Sequence, residues 1–165
     1  GFGRALDEIA TPPWAPLTAA SGCVLLVRRQ LFERVGLFDE EFFFSFEDLE
    51  LCLRARKAGF EIGLVGDARV LHEGSASIPD GSPIRFYFAA RNHLLAAERG
   101  APLGSAPARV ARFVSIVAFN VAHAVRSRGG NLFARLGAVG AGVNDYRAGR
   151  LGPQRWAPQG PRAQD

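Results

Sequence analysis

The chain has 165 residues, of which 48% are hydrophobic and 22% charged, proportions that fit a globular protein with enough apolar material for one core. They argue against a disordered chain and against collagen-like repetition. The 20 basic and 16 acidic residues give a net charge of +4, which favours anionic partners such as phosphates or a lipid headgroup surface. Since the sequence contains no dense basic run, nucleic acid is not an expected partner.

The length allows one domain with a tail, or half of a larger enzyme. The sequence contains no methionine, which leads us to expect a fragment. Cys23 and Cys52 are isolated thiols without CxxC spacing or a preceding signal peptide, a pattern that predicts a reducing, cytoplasmic setting. No apolar run reaches the 18 to 20 residues that typically span a bilayer, because Arg112, Asn120 and His123 interrupt the longest candidate.

The first part of the chain predicts alternating irregular and regular segments. Proline punctuation predicts a loop over residues 1–20, and the short apolar run that follows predicts a buried strand. Helical spacing and then a glycine predict a helix ending at Gly36. The clearest predicted helix follows an aromatic loop, and its apolar residues form one stripe. It ends at Gly59. These predicted elements are a loop over 1–20, a strand over 21–27, a helix over 28–35, a loop over 38–46 and a helix over 47–58.

The rest of the chain predicts two short strands, a Gly/Ser/Pro loop, three helices and a disordered tail. These cover, in order, 60–65, 69–71, 73–83, 84–98, 108–125, 131–146 and 151–165. Strands mixed with helices, followed by helices alone, predict the closing part of an α/β domain with a helical appendage. We therefore expect a partial catalytic domain over 1–100, a helical extension over 101–150 and the tail over 151–165.

The acidic pair Glu47-Asp48 opens the clearest predicted helix and directly follows the aromatic loop. An anionic carboxylate in such a partly dry setting suits a general base, and the helical wheel turns Asp48 further inward than Glu47. The alternative is structural, since acids in the first turn stabilise a helix by about 0.3 to 1 kcal/mol. Glu50 and Arg54, four residues apart, predict a solvated ion pair.

Three further groups of side chains are candidates for binding or packing. His72 ends a predicted strand and could bind Mg²⁺ or Mn²⁺ together with substrate oxygens, or be an ordinary loop residue. Arg85 and Arg91 could hold a phosphate, although surface arginines on helices are usually solvated. The remaining candidates are expected to be structural: His93 and His123 within helices, and Cys23 and Cys52 in the core.

Read together, several segments resemble the C-terminal half of the catalytic domain of family 2 glycosyltransferases, in the rhamnosyltransferase-like bacterial group with a GT-A fold. The resemblance extends over about residues 20 to 95. The segments that carry it are Ser21-Gly22-Cys23-Val24-Leu25-Leu26-Val27-Arg28-Arg29, Val35-Gly36-Leu37-Phe38-Asp39-Glu40, Phe42-Phe43-Phe44-Ser45-Phe46-Glu47-Asp48-Leu49-Glu50-Leu51-Cys52-Leu53-Arg54, Ala58-Gly59-Phe60, Ala68-Arg69-Val70-Leu71-His72 and Arg91-Asn92.

The resemblance implies an inverting hexosyltransferase in which Asp48, beside Glu47, is the catalytic base. It implies that His72 helps to bind a divalent metal, Mg²⁺ or Mn²⁺, which neutralises the leaving diphosphate. Ser21 and Gly22 match the family's positions at the start of a strand that lies beside the donor sugar. Phe38 and Asp39 match a stretch that lines the acceptor side, and Arg91 is a further candidate for substrate binding.

The sequence departs from the family pattern in its Ser45, which replaces an aromatic residue, in its Glu50, where many relatives have aspartate, and in the absence of a DXD metal motif. We therefore expect this chain alone to be inactive. The resemblance implies a nucleotide-diphosphate sugar as donor, a cell-envelope glycan or lipid-linked acceptor, and a cytoplasmic enzyme at the inner face of the membrane. The apolar helix after residue 108 could make peripheral membrane contact or pack on the domain.

Two alternative functions stay open at the level of the sequence. One is a non-catalytic, membrane-associated or partner-binding module that retains part of the fold. The other is a metal-dependent hydrolase using Glu47, Asp48 and His72, which has few visible ligands. An upstream reading frame that encodes a nucleotide-binding half with a DXD motif would favour the glycosyltransferase, whereas a start codon directly before Gly1 would favour the module.

Overall fold

A computed structural model describes residues 12–68, residue 70 and residues 78–153. In these ranges the chain forms five α-helices and two short strands, so it is mainly helical. The chain divides into two compact units. The first unit comprises the described residues of 12–38 and 48–70, and the second comprises 39–47 and 78–153. The elements are β1 (Trp14–Pro16), α1 (Arg29–Val35), α2 (Glu47–Lys57), β2 (Gly63–Val65), α3 (Pro83–Gly100), α4 (Ala106–Arg126) and α5 (Leu132–Arg147).

The two strands of the first unit pair antiparallel, with Trp14 opposite Val65 and Pro16 opposite Gly63. The indole of Trp14 covers residue 63 so closely that an added Cβ would lie 2.1 Å from the ring, which explains the glycine. β1 lies in the segment predicted to be a loop. Pro16 is tolerated there because it stands at the end of an edge strand, where a missing N–H costs little.

The predicted strand over 21–27 is wrong, since these residues are irregular in the structure. Only Leu25 and Val27 of this run are half-buried, and they pack against a cluster formed by Leu31, Leu51 and Ala55 of the helices α1 and α2. Val24 and Leu26 are exposed, so a short apolar run does not by itself determine burial.

The two helices of the first unit match their predicted positions and their glycine ends. Gly36 has φ +83° and Gly59 has φ +86°, the left-handed conformation that terminates helices at little cost in glycine. Glu50 and Arg54 differ from prediction, because the Glu50 side chain is buried and not solvated. Arg54 binds it through two bonds of 2.6 and 2.7 Å and also donates to the carbonyl oxygens of Val35 and Leu37.

The second unit is a three-helix arrangement in which α3 packs against α4 and α5. Its core combines aromatic residues of α3 with small residues of the other two helices: Phe86, Tyr87, Phe88, Ala90, Ala124, Ala138 and Val139. The approach of α5 to α3 is close, because a Cβ at residue 142 would lie 2.3 Å from the Tyr87 carbonyl oxygen. The three predicted helices are thus confirmed. The helices α3 and α4 are slightly longer than predicted, and α5 has the predicted length with both ends shifted by one residue.

The α4 helix is long and apolar enough, by length and composition, to cross a membrane, the only helix of the described residues with this property. The sequence expectation concerned an uninterrupted apolar run, and the helix reaches this composition in spite of the polar residues within it. Arg112, Asn120 and His123 do not interrupt the helix. Few of its residues are buried.

Other predictions have mixed outcomes. Cys52 is buried, as predicted, whereas Cys23 is exposed. The predicted strand over 69–71, the residue His72 and most of the loop over 73–83 lie outside the described residues, as does the tail from residue 154. The two compact units divide the chain at places other than residue 100.

Candidate active site around Asp48

Asp48 occupies the first turn of α2 and is half-buried. Its Oδ2 accepts a hydrogen bond of 2.8 Å from the backbone N–H of Gly22, and its Oδ1 accepts one of 2.7 Å from the N–H of Leu49. Both bonds orient the carboxylate. Because an ionised carboxylate has about four acceptor positions, the two bonds leave each oxygen able to accept from a substrate hydroxyl.

Gly22 favours this close contact. A Cβ at residue 22 would lie 3.3 Å from the Cβ of Asp48, which is tighter than ordinary packing, and 3.5 Å from its Oδ2. Two segments 26 positions apart, Ser21-Gly22 and Glu47-Asp48, are therefore brought together, and both carry the family resemblance. Ser21 is exposed beside this contact.

The neighbouring candidates Glu47 and Phe38 lie in different environments. Glu47 begins α2 and is half-buried, with its Oε2 shielded from solvent. Phe38 is largely exposed, and its ring centroid is 6.3 Å from that of Phe32 in the same unit. An exposed aromatic ring is free to contact a sugar face, so this position is compatible with the expected acceptor side.

The loop that leads into α2 has an unusual backbone. Phe43, Ser45 and Phe46 all have positive φ, between 58° and 72°, which costs non-glycine residues about 1 to 3 kcal/mol each. The Asn92 side chain fixes this conformation, because its Nδ2 donates to the carbonyl oxygens of Phe42, Phe44 and Ser45 at 2.7 to 2.8 Å. Asn92 therefore fixes the backbone immediately before Glu47.

Arg91 reinforces the same loop and has a role different from the one expected. It is 0% exposed, and its guanidinium donates to the carbonyl oxygens of Glu41, Phe42 and Gly152 and to Oδ1 of Asn92. A side chain buried in this way has no face left for a substrate phosphate. We therefore correct the expected phosphate contact to a structural one.

Asp39, expected on the acceptor side, uses its carboxylate within the second unit. Its Oδ1 accepts from the N–H of Glu41 at 3.0 Å, and its Oδ2 pairs with Arg99. Arg99 also pairs with the Glu41 carboxylate. These bonds fix the start of the loop and leave Asp39 with reduced capacity for a ligand.

A cavity of about 450 Å³ in the second unit contains the other predicted phosphate ligand, Arg85. Its guanidinium donates to the Ile78 carbonyl oxygen at 2.9 Å and lies 3.3 Å from the Asp80 carboxylate. Part of its charge is therefore already balanced. Ser45, three positions before Asp48 in the sequence, lines the same cavity.

No group of three His, Cys, Asp or Glu side chains that could hold a metal ion occurs among the described residues. His72, the expected ligand, lies outside them. His93 and His123 have no metal partners within this part of the chain. His93 is stacked on Phe46, with ring centroids 5.3 Å apart, and burial lowers its pKa.

Sequence reasoning missed the role of Asn92 in holding the loop. A signal was available, because at 100° per residue Asn92 falls on the same side of α3 as the buried Phe88 and Leu95. An amide within an apolar stripe is buried only when its hydrogen bonds are satisfied, which makes it a candidate for such a contact. Arg99 carried no comparable signal.

Comparisons with known proteins give partial matches, while no family model and no solved structure matches the chain. A dTDP-rhamnosyl transferase, RfbF of Shigella flexneri, is 35% identical over 98 residues, covering 54% of this chain and 32% of that protein. An N-acetylglucosaminyl-diphospho-decaprenol L-rhamnosyltransferase of Mycobacterium tuberculosis is 42% identical over 71 residues, covering 43% of this chain and 23% of that protein. The O-antigen biosynthesis protein RfbC of Myxococcus xanthus is 41% identical over 61 residues, covering 37% and 5%.

The matched part of the chain spans about a third or less of the length of these relatives. Rhamnosyl transfer occurs in the names of the first two, from two different bacteria, and the matches agree with the resemblance of the motif segments. The chain is therefore similar, over part of its length, to enzymes named as rhamnosyltransferases.

Proposed function

We propose that the protein containing this chain is an inverting glycosyltransferase of family 2 with a GT-A fold. It transfers a sugar from a nucleotide-diphosphate donor to a cell-envelope glycan or lipid-linked acceptor at the inner face of the membrane. The observation that carries the proposal is the hydrogen bond from Gly22 to Asp48, which unites two segments that resemble the family. The names of the relatives favour a dTDP-rhamnosyl donor and an acceptor with a diphosphate-linked lipid.

Asp48 acts in this proposal as the general base. Its carboxylate accepts a hydrogen bond from the acceptor hydroxyl and takes the proton as the hydroxyl oxygen attacks the anomeric carbon. The new C–O bond forms as the bond from that carbon to the leaving diphosphate oxygen breaks, so the nucleotide diphosphate departs and the configuration inverts. The bonds from Gly22 and Leu49 keep the carboxylate in one orientation, which reduces the cost of reaching the reactive geometry.

The loop before α2 supports this role through the backbone. Asn92 and Arg91 bind the carbonyl oxygens of the residues that directly precede Glu47, and both side chains are buried. Their function is positioning, since neither has a free polar group for substrate. Ser21 and Phe38 are exposed and are proposed to contact donor and acceptor, with Gly22 allowing close approach.

A divalent metal belongs to the proposal only in a limited form. The described residues do not form a metal site by themselves, and His72 is proposed as one ligand in company with donor oxygens. A bound Mg²⁺ or Mn²⁺ would supply charge stabilisation of the leaving diphosphate. A second candidate function, a non-catalytic membrane-associated module, is favoured by one observation, the exposed apolar surface of α4.

The proposal is tested by sugar transfer in protein that includes all upstream residues encoded by the gene. The donor is a dTDP-rhamnosyl nucleotide and the acceptor is N-acetylglucosaminyl-diphospho-lipid, with the anomeric configuration of the product determined by NMR. We expect transfer with inversion. Retention of configuration would contradict the base mechanism, and the absence of transfer to any glycan or lipid-linked acceptor, with any nucleotide sugar, would favour the module.

A further inference from the structure

The outer face of α4 is apolar and open to solvent. We define this face by six side chains: Val110, Val114, Ala118, Phe119, Val121 and Val125. Five of them, all except Phe119, fall within 80° of one another at 100° per residue, so they form one continuous stripe along the helix. Val110 and Val114 of this stripe are 63% and 58% exposed, although soluble proteins seldom leave so regular an apolar stripe uncovered.

Two polar side chains in the middle of α4 donate to carbonyl oxygens of the same helix. The one hydroxyl beside the outer face, that of Ser115, donates to the Ala111 carbonyl oxygen at 2.8 Å. On the packed side, the Nδ2 of Asn120 donates to the Ile116 carbonyl oxygen at 2.8 Å. The outer face therefore has no polar group that loses a hydrogen bond when water is removed, which makes its desolvation favourable.

The segment of the chain that contains this face carries charge of a single sign. From Arg99 through Asn144 the chain contains six arginines and no aspartate or glutamate. Arg109 and Arg112 donate to backbone carbonyl oxygens, and the ion pairs of the described residues include neither Arg126 nor Arg128. Neither arginine forms an ion pair within the described residues, although Arg128 lines the same cavity as Asp80.

A further exposed aromatic side chain follows α4 in the chain. Phe133, in the first turn of α5, is 82% exposed and follows Arg126 and Arg128 in the chain. Apolar and aromatic side chains flanked by arginines are the composition that helices use when they lie in the plane of a membrane interface. Anionic lipid headgroups supply the negative charge that arginines in this position attract.

We propose that the outer face of α4 docks on the surface of an anionic lipid bilayer, with Arg126 and Arg128 at the headgroups. The helix lies on the membrane and does not cross it, because its other side packs against α3 and α5 through Ile116, Asn120 and Ala124. A second copy of the chain is a poorer occupant, since it would bring only further arginines to this region. This inference does not depend on the catalytic proposal.

The test measures binding of the full chain to vesicles by co-sedimentation. Vesicles of phosphatidylcholine with one quarter phosphatidylglycerol should bind the protein at least tenfold more tightly than phosphatidylcholine alone, and added salt should weaken binding. V114D should lower binding at least tenfold, because it places a charge in the apolar stripe. L26D is the matched control, since Leu26 is 100% exposed in the first unit, and it should bind as the unchanged protein does.

The charged margin is tested separately by the double variant R126Q and R128Q. It should lose about tenfold or more of its affinity for the anionic vesicles and little for the neutral ones. Circular dichroism of each variant distinguishes lost binding from lost folding. The proposal is overturned if the folded V114D variant binds as tightly as the unchanged protein, or if the unchanged protein does not bind.

Two other occupants are distinguished by further measurements. A dimer in sedimentation equilibrium without lipid that V114D abolishes would assign the face to a second copy and overturn the proposal. Bound protein that resists extraction with alkaline carbonate would indicate a helix that spans the bilayer, which would overturn surface docking. A protein that is monomeric without lipid and that alkaline carbonate releases from the vesicles would support the proposal.

Discussion

The backbone N–H of Gly22 donates to Oδ2 of Asp48 at 2.8 Å, and a Cβ at residue 22 would lie 3.3 Å from the Cβ of Asp48, so that a side chain here requires a small shift of Asp48. A G22A variant should therefore move the Asp48 carboxylate by a few tenths of an ångström. We expect turnover of the complete enzyme to fall about tenfold or more, because catalytic groups tolerate little misplacement. G104A is the control, since a Cβ there meets nothing within 4 Å, and it should leave turnover unchanged.

Asn92 should be essential for stability. N92A removes three hydrogen bonds to the loop and leaves buried carbonyl oxygens without their donor, so the free energy of unfolding should fall by about 2 to 4 kcal/mol. Urea denaturation followed by circular dichroism measures this loss. N144A, at an exposed position of α5, should change it by less than about 0.5 kcal/mol. Equal effects of the two substitutions would show that the loop is not held by Asn92.

Two glycines of α5 make a matched pair. G142A adds a Cβ 2.3 Å from the Tyr87 carbonyl oxygen, so α3 and α5 must separate and stability should fall by about 1 to 3 kcal/mol. G140A adds one where nothing lies within 4 Å and should raise stability by about 0.5 to 1 kcal/mol through helix propensity. The same denaturation experiment measures both. A G142A variant as stable as G140A would contradict the close packing of the two helices.

His93 should make the protein less stable in acid. Burial lowers the pKa of His93 in the folded protein below its unfolded value of about 6.5. The unfolded chain therefore binds the proton first, so the contribution of His93 is fully present above about pH 6.5 and is lost as the pH falls toward the folded pKa. Its Nδ1, 3.3 Å from Nδ2 of Asn120, accepts a hydrogen bond only while deprotonated.

The measurement is the free energy of unfolding between pH 7 and 5 for the unchanged protein and for H93F. H93F should lose less stability over this range, because it has no group to protonate. N144A, at an exposed position without a titratable side chain, is the control and should retain the slope of the unchanged protein. Parallel slopes for the unchanged protein and H93F would contradict this assignment.

The helices could be predicted because each depends on local signals. Gly36 and Gly59 mark helix ends, and the apolar stripes of α2 and α3 repeat at helical spacing, so their positions were evident. The prediction of a strand over 21–27 failed because a short apolar run does not by itself determine burial. Val24, Leu26 and Cys23 of this run are all exposed.

The candidate site was only partly predictable. The resemblance identified Gly22 and Asp48 separately, but their contact depends on tertiary folding across 26 positions. The role of Arg91 was misjudged because its burial depends on the loop that covers it and not on the sequence of its own helix. The three hydrogen bonds from Asn92 to carbonyl oxygens of the loop join parts of the chain that are far apart in sequence. No spacing of residues in the sequence predicts such bonds.

The central claim is that Asp48 removes the proton of the acceptor hydroxyl. Its most direct test is the kcat of D48N in the complete enzyme, with donor binding measured in parallel and D67N, an exposed aspartate beyond β2, as the matched control. The account predicts a fall in kcat of about 10²-fold or more, with donor affinity retained and D67N unaffected. A D48N enzyme that turns over at near the normal rate would contradict it.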